Sequence, residues 1–169
     1  MKWIGISGSW RATSAEVERD VRQDVREIIE RGDGIVSGGA LNVDYFATDE
    51  ALSLNPTGSQ IKVFLPVTLE RYAAHYRKRA EEGVITHEQA EALIAQLTRL
   101  KQANPSALIE NMVNTVCDPS TYFERNTEVV KASDELLAFS VNQSGGTQDT
   151  IDKAREQGKS VQVKNYTIA

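Results

Sequence analysis

The chain holds a single cysteine, Cys117, among 169 residues. An internal disulfide framework is therefore excluded, which suits a reducing, cytoplasmic setting with Cys117 as a buried, inert thiol. Apolar runs long enough to span a bilayer are missing too, and no charged-then-apolar leader opens the chain, so no membrane partner is expected. A basic surplus is also lacking: 19 Lys and Arg stand against 24 Asp and Glu, a formal charge of −5. Dedicated DNA or RNA binders normally carry the opposite balance, so the charge argues against nucleic acid as a partner, although a local basic patch remains compatible with it. The two histidines, His75 and His87, fall outside every glycine-bearing motif, and no metal-ligand spacing occurs. Neither histidine catalysis, nor a metal site, nor a cofactor is expected. With no internal repeat, low-complexity tract or linker, residues 1–169 read as one domain.

What is present is an alternation of short apolar runs and helical periodicities. "KWIGIS", "GIVSGG" and "IKVFLP" read as buried strands. Between them, Val17, Val21, Val25, Ile28 and Ile29 recur at helical spacing, and Val43 to Leu54 forms a second helical stretch. Thr13-Ser14-Ala15-Glu16 has the spacing of a capping box, and Asn42 stands where it caps the helix that follows. The pattern resumes with a helix over Tyr122 to Ala132, a strand "ELLAF", a helix over Thr147 to Gln157 and a strand "SVQVK". Such alternation implies a Rossmann-like, doubly wound α/β fold: a mostly parallel sheet with helices on both faces. Roughly residues 67–117 break the rhythm. Two helical stretches there, Leu69 to Glu82 and a second one capped by Thr86-His87-Glu88-Gln89, form an inserted hairpin without strand pattern. It reads as a lid, a dimerisation arm or a plain packing element.

Three strand ends share one grammar. Gly8-Ser9 closes the first strand, Gly38-Gly39 the second, and Gly145-Gly146-Thr147 follows the strand ending near Phe139. Glycine admits close approach of a ligand to backbone, and a helix N-terminus just beyond offers unpaired amides and partial positive charge. Carboxyl ends of strands are also where open parallel sheets collect ligands. Together these imply phosphate-binding loops for a nucleotide-sized molecule. No standard phosphate motif is present: none of the loops carries the Walker A lysine, and G-x-G-x-x-G is absent. A conventional kinase or NAD dehydrogenase is thus not expected.

"IGISGSWR", "GIVSGGALNVDYFATDEAL", "YFERNTEVVKASDELLAF" and "SGGTQDTIDKAREQGKSVQV" resemble, in order and spacing, the SLOG superfamily, which includes DprA (Smf)-like DNA-processing proteins and LOG-like phosphoribohydrolases. The resemblance covers the chain except the hairpin. It implies a Rossmann-like domain binding a nucleotide or nucleotide-derived small molecule, as a homodimer or higher homo-oligomer. Phosphate contacts then fall by position on Gly8, Ser9, Gly38, Gly39, Gly145, Gly146 and Thr147, with Arg11 as a further contact. Arg125 matches the arginine that both branches place before its helix. A guanidinium suits such a site, being always charged and able to fork onto phosphate.

Asp44, on the helix after Gly38-Gly39, either complements the helix dipole or accepts a hydrogen bond from a ribose or base. Asp149 poses the same choice. A LOG-type N-glycosidase needs a carboxylate near the anomeric carbon, and the family supplies a glutamate where this chain has Thr150. Such an enzyme would use Arg125 with Asp149 or Glu124 as its catalytic pair. Three readings follow: a binder or sensor of a nucleotide-derived ligand, a nucleoside 5′-monophosphate N-glycosidase, and a DprA-like single-stranded DNA binder.

Overall fold

A computed structural model describes residues 1–169. Its sheet has six strands in the order β4-β3-β2-β1-β5-β6, every neighbouring pair parallel. The strands are β1 (Trp3–Gly8), β2 (Gly34–Ser37), β3 (Ile61–Phe64), β4 (Leu108–Ile109), β5 (Glu135–Val141) and β6 (Ser160–Tyr166). The helices are α1 (Ala15–Glu30), α2 (Val43–Leu54), α3 (Leu69–Glu81), α4 (His87–Ala103), α5 (Pro119–Ala132) and α6 (Gly145–Glu156). The Rossmann-like α/β expectation holds. From β1 the chain builds outward through β4, then returns to the other side of β1 for β5 and β6. That reversal opens a crevice at the carboxyl ends of β1 and β5, where open α/β sheets place their ligands.

The apolar periodicity dictates what is buried. Val17, Val21, Val25, Ile28 and Ile29 of α1 are all buried, joining Ile4, Ile6, Ile35, Val63 and Phe139 in the larger core. A smaller cluster of Val130, Leu136, Ala138, Ile151 and Ala154 packs α5 and α6 against β5. The hairpin belongs to the main core: Tyr72 on α3 and Leu93, Leu97 and Leu100 on α4 are buried within it. A fully buried leucine contributes about 1.5–3 kcal/mol relative to exposure, so α4 is a packing element rather than a loose lid.

Five local expectations are corrected. The cap of α1 is Ser14, whose hydroxyl accepts from Val17 N, while Thr13 Oγ1 is buried without a partner. Asn42 precedes α2 at φ 62° but makes no side-chain cap; its amide donates instead to the Trp10 carbonyl, tying the first glycine loop to the second. The hairpin region does contain a strand, the two-residue β4 beside β3, too short to leave a pattern. Gly145 and Gly146 form the first turn of α6 rather than a loop before it. Likewise α5 begins at Pro119, ahead of the expected Tyr122, because Asp118 and Thr121 form a capping box.

Candidate functional site

A cleft of about 460 Å³ opens at the carboxyl ends of β1, β2 and β5. All three glycine segments reach it, through Gly8, Gly38 and Gly146, and so do Arg11, Asp44, Arg125 and Thr147. Ser9, Gly39, Gly145 and Asp149 do not line it. Ser9 turns inward, its hydroxyl accepting from the amides of Arg11 and Ala12 and so shaping the loop. Gly39, at φ 67°, packs against Leu65 and Val63. Asp149 is bound by Asn126 Nδ2 at 3.1 Å and by Lys153 Nζ at 2.6 Å.

The glycines that touch the cleft do so for different reasons. A Cβ on Gly8 would fall 2.5 Å from Val43 Cγ2, so Gly8 lets α2 close onto β1. A Cβ on Gly38 would fall 2.7 Å from Arg125 Nε, so Gly38 leaves room for the guanidinium. One on Gly146 would meet nothing within 4 Å; that residue's contribution is an unpaired amide in the first turn of α6.

Arg125 is the centre of a connected polar chain. Its Nη1 donates to the Gly38 carbonyl, and its Nε to Asn126 Oδ1 at 3.3 Å. Asn126 in turn donates to Asp149, which Lys153 neutralises. The guanidinium also lies 5.4 Å from the centre of the Tyr122 ring. Asp149 thus sits outside the cleft but helps hold the arginine that faces it. No carboxylate lies within salt-bridge distance of Arg125, leaving its charge available.

Asp44 lies at the buried side of the cleft, 6% exposed. Its Oδ2 accepts from Ala40 N at 3.1 Å, while Oδ1 has no partner. Burial pushes this carboxyl above the usual carboxylate range, and the Arg125 charge and the amides of Ala40 and Gly38 pull partly back. Thr147 Oγ1 is likewise buried and unpartnered. Buried polar atoms are normally satisfied; these two are left without a partner in the cleft wall.

Several lining residues lie outside the motifs that the sequence singled out, His75 among them. α3 supplies His75, Tyr76 and Arg79 as a wall. Tyr122 donates to or accepts from His75 Nε2 at 3.0 Å, tying α5 to that wall, and Tyr72 donates to the Gly39 carbonyl at 2.9 Å. Burial, then the neighbouring Arg79, lowers the His75 pKa. Trp10 and Phe123 line the cleft yet are 37% and 44% exposed. Arg11 lies 4.7 Å from the Trp10 ring centre and Lys153 5.4 Å from that of Phe123. Cys117, expected to be buried and inert, is half-buried at the edge, its thiol pushed up by burial. No trio of metal-ligating side chains occurs, and no helix is long and apolar enough to cross a membrane.

Residues 1–168 match the family described as DNA recombination-mediator protein A. The chain belongs to that family. It is thereby a member of the SLOG superfamily, as its resemblance implied. Among solved structures, DNA processing protein A from Helicobacter pylori, studied for its single-stranded DNA binding mode, superposes with TM-score 0.69 at 20% identity, over 96% of this chain and 64% of that one. DNA processing protein A (DprA) from Streptococcus pneumoniae gives TM-score 0.64 at 16% identity, over 96% and 50%. The molybdenum cofactor binding protein of Rippkaea orientalis gives 0.62 at 17% identity, over 97% and 76%. The chain thus spans less than two thirds of either DNA processing protein. No curated protein matches by sequence.

Membership in the recombination-mediator family overturns the expectation that nucleic acid is not a partner class. The inference from net charge failed because net charge averages the surface. α1 alone carries six carboxylates against three arginines, and none of its residues lines the cleft, where Arg11, Arg79 and Arg125 gather.

Proposed function

We propose that this DprA-family chain binds single-stranded DNA, with the glycine-loop cleft as the seat for phosphate and sugar. The observation that carries the reading is a combination at one opening: an arginine without a carboxylate partner at the floor and two exposed aromatic rings at the mouth. Strand-binding sites pair a cationic track with rings on which bases stack. Phosphate takes the positions of Gly8, Gly38, Arg125, Gly146 and Thr147, while Asp44 Oδ1 accepts from a base N–H. Trp10 and Phe123 accept stacked bases, and Arg11 approaches the strand from over Trp10. The whole chain, residues 1–169, acts as one binding domain.

A free nucleotide or nucleotide-derived ligand is the second reading, favoured by the cleft's volume, which falls within the range of small-molecule sites. N-glycosidase chemistry has less support. Asp149 does not line the cleft; of the two carboxylates that do, Asp118 is engaged by Ser120 and Thr121, and Asp44 is buried, which disfavours its charged form.

Fluorescence anisotropy with labelled single strands and duplexes decides between them. The strand reading expects preference for single strands and a log K that falls with log salt by about 0.7 per phosphate contacted. Thermal stabilisation by free nucleotides, with no strand binding at low salt, would overturn it in favour of the second reading.

A further inference from the structure

We propose that a single strand leaving the cleft continues across α3, its phosphates taken by Arg79, Lys78 and Arg71, so that the inserted hairpin is a second nucleic-acid contact; this rests on the strand-binding reading above. A second cavity, about 420 Å³, lies beside the cleft, and His75, Arg79 and Cys117 line both. The two hollows share this wall, and a strand passing over it would run from one to the other. The second is bounded by Arg71, Lys78 and Arg79 from α3 and by Thr115 and Val116 from the segment before α5, with Glu82 as its one acidic residue.

The pairing of charges separates this track from the rest of the surface. Of the 19 Lys and Arg, eleven lie within 4.0 Å of a carboxylate. Of the eight that do not, four line the two cavities: Arg11, Arg71, Lys78 and Arg125. In a chain with a net charge of −5, half of the uncompensated cations sit along one groove. A polyanion is the partner that such a groove complements.

The physics of α3 accounts for only part of this arrangement. Lys78 and Arg79 stand in its last turn, where a cation complements the helix dipole. Arg71 is in the first turn, where the dipole opposes positive charge, and its only side-chain partner is the neutral Asn114 carbonyl at 3.2 Å. Its position is unfavourable within the free protein and favourable once an external anion arrives. From Arg71 to Arg79 the helix axis runs about 12 Å, so the three cations form a line rather than a point site.

The decisive comparison is between a short oligonucleotide, about 4 nucleotides, that fills only the cleft, and one of about 16, near the upper end of strand-binding sites. The Arg71→Glu/Lys78→Glu double variant is expected to bind the short strand as the wild type does. On the long strand it should bind more weakly, with the salt slope reduced by about 1.4, the loss of two contacts. The milder Arg71→Gln/Lys78→Gln variant, checked for an unchanged melting temperature, guards against misfolding and should lose the same slope. Unchanged long-strand affinity and slope in both variants would overturn the α3 track while leaving the cleft reading intact. Failure of the wild type to bind either strand would remove both.

Discussion

Arg125 and Gly38 are fitted to each other: the guanidinium donates to the Gly38 carbonyl, and a Cβ on that glycine would come within 2.7 Å of Arg125 Nε. Gly38→Ala should therefore act as a displaced Arg125. Arg125→Ala is expected to weaken strand binding by about 1.5–3 kcal/mol, the worth of a hydrogen bond to a charged group, with Gly38→Ala in the same direction. Anisotropy titrations at fixed salt read both, and wild-type affinity in Gly38→Ala would show that the guanidinium's position is immaterial.

Gly145 and Gly146 predict the reverse. Both lie in the first turn of α6, neither has a positive φ, and an added Cβ meets open space at each. Alanine at either position should stabilise the protein by about 0.4–1 kcal/mol through the unfolded chain's entropy. The α6 amide remains, so binding should survive Gly146→Ala. Denaturant melts beside binding curves test the pair together; destabilisation by both would mean that these glycines meet a constraint absent from the fold.

These two glycine sites show what was legible in the sequence. The strands β1 and β2 announced themselves because a parallel strand buried on both faces is a continuous apolar run, and glycine marked each end; β3 showed as the run "IKVFLP", ending in proline. β4 was invisible, since Leu108–Ile109 pair with β3 only through tertiary contact. The cleft's glycine segments were legible, but the physical role of each glycine was not: a steric requirement such as that between Gly8 and Val43 joins residues 35 positions apart. The α3 wall was missed for a different reason. The buried side of α3 is formed by Tyr72, Ala73, Tyr76 and Ala80, and His75 and Arg79 lie next to it in sequence, where core and cleft give the same signal.

The aromatic mouth makes a separable prediction. Trp10→Ala and Phe123→Ala should each reduce strand affinity by about 1–3 kcal/mol if a base stacks on the ring. Being partly exposed, neither should cost much stability. Substitution by tyrosine or phenylalanine should restore most of the loss at Trp10. Equal affinity for the alanine variants would take stacking out of the binding mode.

α4 tests whether the hairpin is structural. Leu97 is completely buried in the main core, so Leu97→Ala should cost about 2–5 kcal/mol. A hairpin that merely docks would lose far less, and a chemical melt distinguishes the cases.

Asp44 should give the protein a pH dependence of definite sign. Its carboxyl is raised in the folded state by burial, against an ordinary value of 3.8. Below that value both folded and unfolded chains hold the proton, and the group contributes no difference. As pH rises above it the unfolded chain ionises first, so folding must retain a proton or bury a charge, and stability declines until the folded pKa is passed. Asp44→Asn removes this titration while keeping an acceptor for the Ala40 amide. The difference in stability, variant minus wild type, should therefore grow as pH climbs above about 4, and level off once the folded carboxyl has ionised. Every other carboxylate titrates in both proteins and cancels in that difference. In a chain of this size each kcal/mol corresponds to about 2–4 °C in Tm, so melts at matched ionic strength across that range resolve it. Parallel curves for the two proteins would mean that Asp44 does not feel its burial.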